Sequence, residues 1–138
     1  QMCIRDRFRL YANDTGLLMA MFDFSMKEAV VNDTLSGPMK GGIYENVAAC
    51  MLSRAGVPLR YWTSRNGNYE IEFVVERAAS PIPIEVKASR GSTASLNAAL
   101  ANDNVRIGYK CAGGANVGRD GKKITLPLYL LPFVFKHA

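Results

Sequence analysis

Residues 69–87 read YEIEFVVERAASPIPIEVK, and this stretch decides the fold. Its first part, residues 69–76, alternates polar and apolar side chains and predicts a strand. A turn is expected over residues 78–81. Residues 82–88 (IPIEVKA) alternate again, with Pro81 and Pro83 predicting an irregular entry into a second strand. Alternation places Glu70 and Glu72 on one face of the first strand, and Ile71 and Phe73 on the other. It also places Glu85 and Lys87 opposite Ile84 and Val86. If the strands pair with their apolar faces aligned, their polar faces align too. Glu72, Glu85 and Lys87 then gather on one surface.

That grouping has two readings. Two carboxylates about 4 Å apart repel by about 4 kcal/mol at an effective dielectric of about 20. They need a cation, a shared proton or separation. A divalent metal is the functional answer, and oxygen ligands favour Mg2+ or Mn2+. Lys87 would then stand near an attacking water or phosphate oxygens. The structural answer is a solvated strand face laced with cross-strand ion pairs. Glu70 replaces Glu72 as a ligand only if the register brings it nearer Glu85.

Upstream, residues 8–12 form a short, partly apolar segment that reads as a strand. Asp14 is suited to cap a helix over the apolar run 17–22. Residues 33–42 read as a loop. Tyr44, Val47, Ala48, Met51, Leu52 and Ala55 recur at helical spacing, predicting a helix over 43–55 that Gly56 and Pro58 end. Glu45 lies on its first turn, where the helix dipole stabilises a carboxylate by about 0.3–1 kcal/mol. It sits at the flank of the apolar stripe without a Lys or Arg at i+3 or i+4. A structural and a metal-binding role are both open for it. Residues 59–64 (LRYWTS) predict a strand. Tyr61 and Trp62 there could stack a base, although such aromatics usually belong to a core.

Downstream, residues 90–93 read as a loop, with Thr93 capping a short helix over 94–101. Residues 105–110 predict a strand. Residues 112–123 read as a mobile Gly-rich stretch, and residues 124–135 are apolar with two prolines. This order of elements predicts an α/β or α+β sandwich with a mixed sheet.

Composition narrows the classes. The 138 residues contain 49% hydrophobic and 21% charged side chains, as expected for one globular domain. No apolar run is long enough for a membrane span. Lys and Arg number 17 against 12 Asp and Glu, a net charge of +5 that is compatible with a polyanion such as DNA. Arg54, Arg60, Arg65, Lys87 and Arg90 are candidates for a basic surface around the site. Cys3, Cys50 and Cys111 are widely spaced and form no CxxC pair, which fits reduced thiols in the cytoplasm. His137 has no serine or cysteine motif near it, so a hydrolase triad has no support. Gly121-Lys122-Lys123 lacks the hydroxyl and the spacing of a P-loop. Residues 1–7 (QMCIRDR) are similar to translated adapter sequence and are set aside as a non-native leader. The domain is therefore placed at residues 8–138.

Glu45, the EIE at 70–72 and the PIEVK at 83–87 together resemble the PD-(D/E)XK nuclease-like superfamily. More narrowly, the chain resembles an uncharacterised, domain-of-unknown-function family found at the C-terminus of prokaryotic AAA-type ATPases. Its motifs appear in order: DTGLL at 14–18, G-x-x-x-E at 41–45, EIEFV at 70–74, PIEVK at 83–87, Ser95-Leu96 and PLY at 127–129. The resemblance runs roughly from Phe8 to Pro132.

It implies a restriction-endonuclease-like α/β core, with a mixed central sheet flanked by helices. It implies that Glu72 and Glu85 hold Mg2+ or Mn2+, with Glu45 a further contact from the helix. Lys87 would orient the attacking water and stabilise charge on the phosphate. The expected reaction is hydrolysis of a nucleic-acid phosphodiester, and the expected partners are DNA and an upstream ATPase domain of a longer parent chain. The resembling family has Asp where this chain has Glu72. An extra methylene moves the carboxylate by about 1 Å, and a misplacement of that size costs about a hundredfold in rate. The alternative expectation is therefore a catalytically inactive module that binds DNA or protein for the same ATPase.

Overall fold

In the computed structural model, residues 9–89 and 91–136 are described. The expected leader at residues 1–7, as well as Arg90 and His137, lies outside them. Three helices come first: α1 (Thr15–Ala20), α2 (Phe24–Val31) and α3 (Gly37–Arg54). Asp14 caps α1 as expected, its Oδ1 accepting the Leu17 N–H at 3.1 Å. The helix α2 is a departure from the sequence pattern. Asp23 starts it, accepting the Met26 N–H at 2.8 Å.

The helix α3 begins at Gly37, inside the expected loop, because Pro38 is preset for a first helical turn. Gly56 takes φ +74° just past its end, a left-handed position that favours glycine. The Val57 N–H then returns to the Leu52 carbonyl at 3.0 Å.

Strands β1 (Trp62–Thr63) and β2 (Glu70–Ile71) form a small antiparallel ladder. The main sheet contains β3 (Phe73–Arg77), β4 (Ser80–Lys87), β5 (Gly108–Ala112), β6 (Gly118–Asp120) and β7 (Lys123–Pro127), in the order β3-β4-β5-β7-β6. It is mixed: β4–β5 and β5–β7 are parallel, while β3–β4 and β6–β7 are antiparallel. Helix α4 (Ala94–Leu100) provides the crossover that a parallel β4–β5 pair requires. Thr93 makes no side-chain cap; the Ser92 hydroxyl accepts the Ala94 N–H instead, at 3.2 Å. A 3-10 turn (Leu128–Leu130) and the short α5 (Leu131–Val134) follow β7.

Apolar side chains cover both faces of the sheet. Phe73, Val75, Ile82, Ile84 and Val86 pack with Ala48, Ala49 and Leu52 of α3 and with Leu131 and Phe135. Val74, one residue out of phase, joins Ile71, Trp62, Leu96 and Ala99 in a second cluster. Trp62 thus serves a core rather than a stacking surface. Among the described residues, no helix is long and apolar enough to cross a membrane.

Four further expectations are corrected. Residues 69–76 are not one strand: the chain bends at Glu72, so Ile71 and Phe73 enter different clusters instead of sharing a face. Of residues 59–64, only Trp62 and Thr63 pair. The Gly-rich stretch folds back to place β6 against β7. Residues 9–12 join no sheet. Asn46 holds them instead, satisfying the Ala12 backbone that a strand partner would otherwise engage.

Candidate active site

Register brings the expected acids together. Phe73 pairs with Ile84 in the antiparallel β3–β4 ladder, so Glu72, at the bend just before β3, arrives beside Glu85. Its Oε2 accepts the Val86 N–H at 3.4 Å. Glu70 goes elsewhere: it pairs with Thr63 in the small ladder and meets Arg9 at 2.9 Å. The acid beside Glu85 is therefore Glu72, not Glu70.

The solvated-face reading does not survive the burial of these groups. Glu85 is 1% exposed and Glu72 9%. Removing a carboxylate from water costs several kcal/mol unless partners replace the lost hydration. The Lys87 Nζ is such a partner for Glu85, 3.5 Å from Oε1. Among the described residues, Glu85 Oε2 is buried without a hydrogen-bond partner. Burial pushes the Glu85 pKa up; Glu72 adds to the rise, while Lys87 and Lys110 oppose it.

Glu45 reaches the cluster from the middle of α3, not from its first turn as expected, because the helix already begins at Gly37. Burial raises its pKa first, then repulsion from Glu72, with Arg9 and Lys87 pulling the other way. Its carboxylate is held by the Arg9 guanidinium at 3.3 Å. The Tyr11 hydroxyl lies buried beside Arg9, and burial pushes its pKa up against the hydrogen-bonding and charge of Arg9. Glu45 and Glu72 both act on it.

The four expected residues Glu45, Glu72, Glu85 and Lys87 therefore share one electrostatic neighbourhood. The acids do not converge on one point: among the described residues, no group of three or more His, Cys, Asp or Glu side chains could hold a metal ion. The pair Glu72 and Glu85 still suits Mg2+, which keeps several waters and commonly binds through one or two carboxylates plus substrate phosphates. The orphaned Oε2 of Glu85 is the atom that such an ion would satisfy.

The other expected contributors are placed less favourably. Arg54 pairs with Asp14 at 3.6 Å and Arg60 with Glu76 at 3.4 Å, so both are engaged away from the acids. Lys110, not among the expected basic residues, does act on Glu85, and its Nζ donates to the Gly91 carbonyl at 3.2 Å.

A family model, described as a domain of unknown function (DUF4143), matches residues 40–131. The chain belongs to the DUF4143 family. No curated protein and no solved structure matches it. The DUF4143 match spans Glu45, Glu72, Glu85 and Lys87 together, whereas Arg9 and Tyr11 precede it. Those two residues carry no sequence signal for the site. Only the path of residues 9–12 across α3 brings them there.

Proposed function

We propose that this DUF4143 domain is a magnesium-dependent nuclease of restriction-endonuclease-like architecture, hydrolysing DNA phosphodiesters in the service of a cytoplasmic AAA-type ATPase. One observation carries the reading. A carboxylate 1% exposed keeps one oxygen without a partner, beside a second buried carboxylate and a lysine. A protein gains no stability from such a group, so a ligand that completes it is the economical explanation.

Glu72 and Glu85 would hold Mg2+ or Mn2+, with Glu45 contributing from α3. When bound, the ion supplies Lewis acidity and a more acidic water. Glu85 holds the Lys87 ammonium at 3.5 Å, and Lys87 is 31% exposed, so its charge can face a phosphate oxygen. There it would stabilise the charge that develops during displacement. The Val86 N–H steadies Glu72 by donating to Oε2.

The test is cleavage of plasmid DNA with added Mg2+ or Mn2+. The native chain is expected to cut, and Lys87→Ala to lose cutting while melting at an unchanged temperature. Equal cleavage by that variant would remove the assignment.

A second reading has two observations in its favour: Arg9 engages Glu45, and three acids do not converge among the described residues. On that reading the domain is an inactive module that binds DNA or a protein for its ATPase. DNA binding would then need no magnesium and would weaken steeply with salt.

A further inference from the structure

Residues 9–12 lie across α3 as a strap with a defined register. Asn46, 3% exposed, grips Ala12 through both its N–H and its carbonyl. Its Oδ1 accepts the Ala12 N–H at 2.7 Å, and its Nδ2 donates to the Ala12 carbonyl at 3.3 Å. The Cys50 thiol also donates to that carbonyl, at 3.3 Å. The Tyr11 ring packs on Phe73 with centroids 5.5 Å apart. These anchors deliver Arg9 to the acids, where it bridges Glu45 at 3.3 Å and Glu70 at 2.9 Å. The Arg9 side chain is 28% exposed, so the guanidinium is held partly out of water by these two ion pairs.

We infer that Arg9 is a built-in counter-cation that competes with a divalent metal ion for this acidic site. The inference rests on the metal-binding reading above. Its sign follows from electrostatics. A fixed positive charge beside a cation site opposes entry of a second cation, and Glu45 cannot serve Arg9 and a metal with the same oxygen. With the ion absent, Arg9 relieves repulsion among Glu45, Glu70 and Glu72. With the ion bound, that relief is no longer needed. The coupling is reciprocal, so metal binding loosens the Arg9 contacts as much as Arg9 weakens metal binding.

The experiment is a Mn2+ titration of the full chain by calorimetry, using the native protein, Arg9→Lys and Arg9→Gln, each first shown to be folded by its thermal melt. Arg9→Gln is expected to bind Mn2+ about tenfold more tightly, a change of about 1.4 kcal/mol. Arg9→Lys, which keeps the charge but loses the fork, should fall between the two. As a second readout, saturating Mn2+ should speed tryptic cleavage after Arg9 in the native chain, as followed by mass spectrometry. Equal or weaker binding by Arg9→Gln overturns the competition and leaves the metal site standing. Absence of Mn2+ binding in all three proteins overturns both the metal site and the competition that depends on it.

Discussion

Tyr44 fills the space that a side chain at Gly113 would occupy. A Cβ there would lie 2.7 Å from the Tyr44 hydroxyl oxygen and 2.6 Å from the Ala88 carbonyl oxygen. This contact joins α3, the end of β4 and the end of β5 next to Glu45 and Lys87. Gly113→Ala should therefore destabilise the domain by about 1–3 kcal/mol, because the backbone oxygen cannot swing aside. A lower urea midpoint with an unchanged slope would show it.

Glu85 and Glu45 should make stability fall as pH rises. Burial holds both pKa values above the ordinary 4.5. Their favourable contribution is present in full below that ordinary value and is lost as pH rises through their folded-state values. Glu85→Gln removes one of the two titrating groups. Melting temperatures measured upward from about pH 4.5 should decline less in this variant than in the native chain. Parallel curves would count against a raised Glu85 pKa.

Asn46→Ala should cost about 1–3 kcal/mol, because it leaves the part-buried Ala12 N–H without its partner and removes one of two donors to the Ala12 carbonyl. Its amide also donates to the Thr15 hydroxyl at 3.0 Å, so the start of α1 loosens with the strap. Hydrogen exchange should show faster exchange at the Ala12 amide, with little change at β4.

Phe135 is fully buried, meets Tyr109 edge-on at 5.8 Å and lies under the Arg77 guanidinium. Phe135→Ala should cost about 3–5 kcal/mol by leaving a cavity against the sheet. Thermal or chemical denaturation measures this directly.

Much of the site was legible because strand alternation is local. The pattern around Ile84, Glu85, Val86 and Lys87 predicted a strand with Glu85 and Lys87 on one side, and β4 forms there. The helix carrying Glu45 was visible in its apolar spacing. The bend at Glu72 was not visible, because residues 69–76 continue the strand pattern through it. Only pairing of Ile71 with Trp62 on one side, and of Phe73 with Ile84 on the other, separates the two strands.

The amino-acid sequence by itself determined a mixed α/β domain, the body of its long helix, the strand that carries Glu85 and Lys87, and the residue types available to the site. These follow from side-chain periodicity, capping and turn chemistry, which act over a few residues. Tertiary structure decided that Glu85 is buried rather than solvated, that Glu72 rather than Glu70 stands beside it, and that Arg9 reaches Glu45. Those outcomes depend on strand register and on contacts between residues distant in the chain. Each is set by which apolar surfaces close against one another, and local pattern does not specify that.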